Sequence, residues 1–206
     1  MSSFRWSKKL AYAVGLFATD GCLSKDGRHL DFTSKDIEQI ENFKKCLNLQ
    51  VKVGWKSSGF SGKIYPRLQF GNVKLFRWLE SIGLHPNKSK TIGELKIPDK
   101  YFYDFLRGSH DGDGSFYSYW DPRWKSSFMY YLQLTSASRS HLEWIHDKNE
   151  QLIGVTGKIK KGTRAFVLVY AKMASKKIVS EFYRNDKCVC LMRKKIKIFE
   201  AIQKDK

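Results

Sequence analysis

The seven-residue pattern G-x-x-x-x-D-G occurs twice in this chain, at residues 15–21 and 108–114. Each copy ends a segment whose apolar residues recur at helical spacing. Glycine directly after such a segment predicts the end of a helix. Two helices are therefore expected to finish on an aspartate, Asp20 in the first copy and Asp113 in the second.

The order of predicted elements also repeats along the chain. Hydrophobic periodicity predicts helices and strands whose order is helix, strand, strand, helix, strand, strand, helix, performed twice. We expect an α+β fold of two pseudo-symmetric αββαββα repeats, divided into residues 1–97 and 98–206, with a basic helix at about 188–203. The predicted helices are 7–20, 36–47, 73–82, 99–113, 138–153 and 173–184, and the predicted strands are 22–24, 28–34, 50–57, 63–70, 115–120, 127–135, 155–161 and 164–171.

Small residues lie four positions apart on one face of each repeated helix. They are Gly15 and Thr19 in the first helix, and Gly108 and Gly112 in the second. Small residues at this spacing let two helix backbones approach closely. If the helices pack side by side and parallel, Asp20 and Asp113 emerge together. Two neighbouring carboxylates repel each other unless cations lie between them, which is the arrangement that two-metal phosphodiester cleavage requires.

The charge of the chain indicates an anionic partner. Lysine and arginine total 38 against 20 acidic residues, a formal net charge of +18. Together with an aromatic content of 15%, this excess favours nucleic acid. We expect no membrane partner, because no basic amphipathic helix with an insertion face is evident. The apolar run from Leu10 to Ala18 is also too short to cross a bilayer.

The cysteines and histidines do not predict a zinc site. The four cysteines lack C-x-x-C spacing, and the five histidines add no ligand cluster; the cysteines are Cys22, Cys46, Cys188 and Cys190. We interpret them as ordinary thiols of an intracellular, reduced protein without a secretory signal. The cytoplasm, an organelle matrix or a nucleoid would each suit this expectation.

The segments AVGLFATDG (13–21) and LRGSHDGDG (106–114) resemble the two signature motifs of the LAGLIDADG homing endonucleases, in the single-chain form with two repeats. Residues 97–116 are especially similar to the second repeat of that family. The pattern departs at 18–19 and 109–110, but the final acid and glycine are kept. The resemblance implies a saddle of antiparallel strands over duplex DNA, a monomer, and Mg²⁺-dependent cleavage of both strands across the minor groove.

The resemblance also implies roles for residues around the cut. Two or three divalent ions would be shared between Asp20 and Asp113, and the contribution of the backbone of Gly21 or its neighbours stays open. A basic residue is expected near each scissile phosphate, at Lys88 in the first repeat and Lys187 in the second. The residues expected to support the water network are Ser34 and Ser136.

Alternation along the predicted strands separates a core face from a basic, amide-bearing face suited to the major groove. In this pattern Trp55 and Ile64 belong to the core face. The direction of 164–171 is not assigned, because it is apolar on both faces, and the roles of Trp120 and Trp124 stay open. The expected DNA-contacting residues are Lys35, Lys52, Lys63, Tyr65, Arg67, Gln69, Tyr131, Gln133, Lys158 and Lys160.

Two other functions remain as alternatives to cleavage. The first is an intron maturase, or a non-cleaving DNA- or RNA-binding protein built on the same scaffold, for which intron RNA would be a partner. A maturase could also cleave DNA, so the two hypotheses overlap. The second is a basic α/β RNA-binding module, although the chain lacks the aromatic box or glycine loop of common RNA-binding domains.

Overall fold

The computed structural model describes residues 4–57, 59, 62–124 and 126–205. The predicted order of elements is confirmed, including the basic helix at the end of the chain. The first repeat consists of α1 (Lys8–Asp20), β1 (Gly21–Leu23), β2 (His29–Thr33), α2 (Ile37–Leu47), β3 (Gly54–Ser57), β4 (Ile64–Gly71) and α3 (Val73–Ser81). The second consists of α4 (Phe102–Asp113), β5 (Ser115–Trp120), β6 (Phe128–Ser136), α5 (Arg139–Ile153), β7 (Lys158–Lys161), β8 (Phe166–Tyr170) and α6 (Lys172–Phe182), and α7 (Met192–Gln203) follows.

Each repeat forms a four-stranded antiparallel sheet. The strand orders are β1-β2-β4-β3 and β5-β6-β8-β7, so the two sheets have the same topology. In both, the strand that directly follows α1 or α4 lies at one edge, and it begins one residue after Asp20 in the first repeat and two residues after Asp113 in the second. The α+β class that the sequence predicts is therefore confirmed.

The helices α1 and α4 form the centre of the molecule, because most of their residues are buried. The aromatic rings of Phe17, Phe32 and Phe43 connect α1 to the first sheet and to α2, with ring centroids 4.3 and 6.0 Å apart. Phe102, Phe105 and Trp144 connect α4 to α5 in the same way. Helix α4 also contacts β6, so both sheets are packed against the same pair of helices.

Two expectations about the core face of the first repeat are wrong. Trp55 is 66% exposed and Ile64 is 65% exposed, although alternation places both on the buried face. All four residues of β3 are exposed. The hairpin of β3 and β4 extends beyond the helices that cover the sheet, so both of its faces meet solvent there.

Strand β8 has a defined direction in the structure. Leu168 and Tyr170 are fully buried against the helices. Val167 and Val169 therefore lie on the opposite face, in register with Thr135 and Gln133 of β6. Trp120 and Trp124 are exposed on the β5–β6 hairpin, 53% and 68% respectively.

Helix α7 packs across the boundary between the two repeats. The Arg193 guanidinium donates two hydrogen bonds to Asp36, at 3.1 and 2.6 Å. Asn42 of α2 donates to the carbonyl of Cys190 at 3.0 Å. These contacts lock the last helix of the chain to the first repeat. Within the described ranges, none of the helices has both the length and the apolar character that crossing a lipid bilayer would need.

Candidate active site at the paired helix ends

Helices α1 and α4 approach each other closely enough to require glycine. A Cβ atom added at Gly15 would overlap the carbonyl oxygen of Phe105, and one added at Gly108 would overlap that of Tyr12. A Cβ atom at Gly112 would likewise overlap the Thr19 hydroxyl. The structure thus places all four of the small residues singled out by spacing in the helix interface.

This packing brings the two aspartates to one pocket. Asp20 and Asp113 both line an open cavity of about 650 Å³ between the sheets. Burial first, and then the negative charge of Asp113, raise the pKa of Asp20 to about 6. Burial also raises the pKa of Asp113. Without a cation, the charged form of both carboxylates is therefore disfavoured relative to carboxylates in water.

A lysine lies behind each aspartate, buried in the first repeat and half-buried in the second. Lys88 is 5% exposed, and its ammonium donates to the carbonyl oxygen of Gly21, directly after Asp20. Lys194 donates to the carbonyl oxygen of Gly114, directly after Asp113, at 2.8 Å. Burial lowers the pKa of both lysines, that of Lys194 to about 8. The two lysines are therefore pseudo-symmetric partners of the two acids.

Lys194 also caps the C-terminal end of α4. Its ammonium lies 2.6, 2.8 and 3.2 Å from the carbonyl oxygens of His110, Asp111 and Gly112. The last carbonyls of a helix lack intrahelical partners and carry the negative end of its dipole, which favours a cation. One side chain thus stabilises the end of α4 and adds positive charge beside Asp113.

The expectation that Lys187 lies at the candidate active site, as the second repeat's counterpart of Lys88, is wrong. Lys187 is exposed and lines a different cavity, together with Lys8 at the beginning of α1. Asp20 ends the same helix, which is about 18 Å long at a rise of 1.5 Å per residue. The physical reason lies in the segment after α6. The chain is irregular from 183 to 191, and α7, which follows it, places Lys194 beside Asp113.

We expect Lys194→Met to lower the rate of DNA cleavage by about 10²-fold or more, because it removes a positive charge fixed beside the acids. Lys187→Met should cleave at nearly the wild-type rate. The two variants remove the same charge, so general weakening of DNA binding is matched between them. Rates at saturating protein, with thermal unfolding to check folding, test this assignment. Equal losses in both variants would contradict it.

A polar chain supports Asp20 from the first repeat. Ser34 donates a 2.6 Å hydrogen bond to the Gln39 side-chain oxygen, and the Gln39 amide donates to Asp20 at 3.3 Å. Gln39 is 2% exposed and was not singled out in the sequence. Its position three residues after Asp36 is also that of a helix-capping residue. In the sequence, the signal for a buried Gln39 was that it directly precedes Ile40, a residue of the apolar face of α2.

The second repeat does not reproduce this chain. His141 occupies the position that corresponds to Gln39, but its ring hydrogen-bonds to the carbonyl of Gly93 at 2.7 Å. Ser136 accepts from the backbone of Ser138 at 3.1 Å and lines a smaller cavity, of about 130 Å³, beside Asp113. Among the described residues, no side chain hydrogen-bonds to Asp113. The two acids are therefore supported differently.

The residues expected to contact DNA lie on the open faces of both sheets or close to them. Arg67 of β4 is half-buried and forms an ion pair with Asp31 of β2. Lys52 and Lys63 are exposed but lie just outside the strands. The others follow the predicted faces: Tyr65 and Gln69 on β4, Tyr131 and Gln133 on β6, and Lys158 and Lys160 on β7, while Lys35 lines the pocket with the acids.

One acidic cluster outside this pocket could hold a metal ion. His146, Asp147 and Glu150 have ligand atoms within 4.8 Å of one another in the described part of the chain. They lie on the outer side of α5, and both acids are exposed. None of the three lines the cavity of Asp20 and Asp113. This cluster therefore adds nothing to the central site.

Comparison with known proteins identifies the fold. No protein-family model and no curated protein sequence matches the chain. The homing endonuclease I-WcaI bound to its DNA recognition sequence superposes with a TM-score of 0.62 at 16% identity, over 95% of this chain and 88% of that one. I-DmoI in complex with DNA and Ca gives 0.55 at 16% identity, over 85% and 88%.

A further solved structure has the same architecture. The N-terminal LAGLIDADG domain of DUF199/WhiA superposes with a TM-score of 0.57 at 16% identity, over 86% of this chain and 83% of that one. The fold of this chain is therefore that of the LAGLIDADG homing endonucleases, in the single-chain form, as its two motifs predict. The same fold occurs in a protein whose name does not include a nuclease, so the function must be argued from the site.

Proposed function

We propose that this protein is a site-specific endonuclease that hydrolyses both strands of a long DNA target. The observation that carries the proposal is a pair of carboxylates, one from each repeat, at the centre of a basic molecule: Asp20 is half-buried and Asp113 is exposed. Asp20 and Asp113 share one cavity between two sheets whose outer faces are open. An acid from each half is what cutting two antiparallel strands requires.

The donor set fits Mg²⁺. Carboxylate oxygens are hard ligands, and Mg²⁺ is commonly held by one or two of them while keeping several waters. Burial raises the pKa of both acids, and the charge of Asp113 adds to this at Asp20, although Lys194 and Lys88 act in the opposite direction. A divalent cation would favour the charged form of both carboxylates. When bound, Mg²⁺ would stabilise developing negative charge on the phosphodiester and lower the pKa of a bound water.

The remaining side chains of the site hold charge and orientation. We propose that Lys88 and Lys194 hold positive charge beside each acid, where an anionic phosphate would approach. Both are fixed by backbone carbonyls, so little reorganisation is required when the phosphate arrives. Gln39, held by Ser34, fixes one oxygen of Asp20 and leaves the other free for a cation.

The test is a selection for cleaved sites from a randomised duplex library, with Mg²⁺ and with EDTA. We expect Mg²⁺-dependent double-strand breaks at one long sequence. Salt-sensitive binding without any cleavage would instead support a maturase or a non-cleaving regulator with the same fold. Stimulation of intron splicing would then distinguish a maturase, which binds intron RNA, from a non-cleaving regulator. In either case we propose that the chain acts as a monomer within the cell.

DNA binding is expected to weaken steeply with salt. Lysines and arginines exceed acids by 18, and those on the sheet faces would neutralise phosphates and release counterions. A protein with 6–10 phosphate contacts loses affinity by about 10³–10⁵-fold between 50 and 200 mM salt. Fluorescence anisotropy with a labelled duplex in EDTA measures this slope. Affinity that is independent of salt would argue against docking through the DNA backbone.

A further inference from the structure

The two sheet faces that flank the acids differ in chemistry. Strand register and burial assign each side chain to the helix-covered or the open face. On the first sheet the open face is polar, with Asp31, Lys56, Tyr65, Arg67 and Gln69. On the second sheet the open face carries an aromatic and apolar group that the first sheet lacks, formed by Tyr117, Tyr119, Met129, Tyr131 and Val167, with the polar Ser115, Gln133 and Thr135 beside it. The pseudo-symmetry of the fold is therefore not repeated in these surfaces.

Three tyrosines form a cluster on the second face. The ring centroids of Tyr117 and Tyr131 are 5.1 Å apart, and Tyr119 lies 6.2 Å from Tyr131, with all three rings nearly parallel. Tyr117 is 37% exposed and Tyr119 is 41% exposed. Opposite them, the core face is already filled by buried Phe116 and Tyr130. The cluster thus exposes apolar surface that folding does not bury.

This face is continuous with the candidate active site. Ser115 lines the cavity that contains Asp113, and it opposes Gln133 across the strands. The next pair on the same face is Tyr117 and Tyr131. A duplex centred on the two acids would therefore pass over the tyrosine cluster within a few base pairs of the cut.

We infer that the half-site under the second sheet is recognised through apolar contacts with thymine methyl groups, an inference that rests on the proposed function. Among the base edges of the major groove, only thymine presents a methyl group, and apolar side chains recognise it. The first sheet carries the opposite chemistry. Arg67, oriented by its ion pair with Asp31, and Gln69 offer the donors that suit guanine and adenine. The target is thus asymmetric, with thymines concentrated in one half.

Duplex DNA fits the cluster better than an unpaired strand. Single-strand binding proteins stack bases on free aromatic faces, whereas these three rings pack against one another. Lys158 and Lys160 lie on β7, at the far edge of the same sheet, exposed on the same side, where a phosphate backbone would run. The first sheet has the same topology on the other side of the acids, which suits the two halves of one duplex.

The experiment replaces thymine by deoxyuridine, which removes the methyl group and leaves pairing intact. The preferred duplex is first selected from a randomised library in EDTA, so that binding alone is measured. Deoxyuridine is then placed in one half-site at a time. We expect affinity to fall about fourfold for each contacted methyl in one half, and to stay unchanged in the other. Arg67→Gln should change base preference only in the half that tolerates deoxyuridine.

The exposed tyrosines provide the matching variants. Tyr117→Ser and Tyr119→Ser should bind thymine and deoxyuridine duplexes with equal affinity. Trp55→Ser removes an aromatic ring that is 66% exposed on the first repeat and should keep the full discrimination. Tight duplex binding that ignores deoxyuridine in both halves would overturn the inference while leaving the endonuclease proposal intact. If the tyrosine variants lost RNA binding but kept the wild-type discrimination between thymine and deoxyuridine duplexes, the inference would also be overturned. Absence of any salt-sensitive duplex binding would instead count against the proposed function.

Discussion

Asp20→Asn and Asp113→Asn are each expected to lower double-strand cleavage by about 10³-fold or more. The amide keeps the shape of the side chain but removes the negative charge that would hold a divalent cation. Because both acids line one cavity, either substitution should impair the whole site. Supercoiled plasmid carrying the selected target, incubated with Mg²⁺, reports nicks and double-strand breaks separately.

The same variants separate chemistry from folding and binding. Removing one carboxylate also removes the repulsion that raises the pKa of Asp20, so the metal-free variants should unfold at a temperature no lower than wild type. Affinity for the target in EDTA should be equal or higher, because a negative charge near the phosphates is lost. A suitable control is Asp147→Asn, an exposed acid on α5 outside the cavity. Full cleavage by either variant at the central site would rule out our catalytic assignment.

A nicking product would be informative about the asymmetry of the site. Asp20 accepts a hydrogen bond from Gln39, whereas no described side chain hydrogen-bonds to Asp113. If each acid serves mainly one strand, the two variants should leave nicks in opposite strands. If the acids share a central cation, both variants should lose both cuts. Strand-specific end labels distinguish these results.

The fold was predictable from the sequence because its strongest constraints are local. Glycine spacing predicts the helix interface, since a backbone contact at Gly15 and Gly108 tolerates no side chain. The aspartates follow from the same segments, because each ends its helix directly before a glycine. The order of elements follows from periodicity that short strands and amphipathic helices impose on their own residues.

The second lysine was not predictable in the same way. The path from α6 to α7 depends on tertiary hydrogen bonds, such as those from Leu191 to Asp111 and from Arg107 to the carbonyl of Val189. No local pattern encodes these partners. One signal did exist, because Lys194 shares a helix face with buried Ile198 and Ala201. A lysine on a buried face is costly unless it meets acceptors, so it was a better candidate than Lys187.

Gly108→Ala is expected to destabilise the protein by at least about 3 kcal/mol, the upper end of what overpacking usually costs. Helix propensity alone predicts the opposite, since alanine in a helix interior is favoured over glycine by about 1 kcal/mol. The added Cβ atom would overlap the backbone of α1 at Tyr12 and come within 3.1 Å of the Leu16 nitrogen. Neither atom belongs to a flexible side chain, so the helices themselves would have to separate.

Chemical denaturation of Gly108→Ala measures the cost, and Gly93→Ala provides the control. A Cβ atom at Gly93 meets only the Ser140 hydroxyl, at 3.9 Å, so that variant should be as stable as wild type. Separation of α1 and α4 would also move Asp20 away from Asp113, so cleavage should fall even at temperatures where Gly108→Ala stays folded. A stable and active Gly108→Ala protein would mean that the helices do not need this close contact. The two acids would then have to be brought together by the sheets alone.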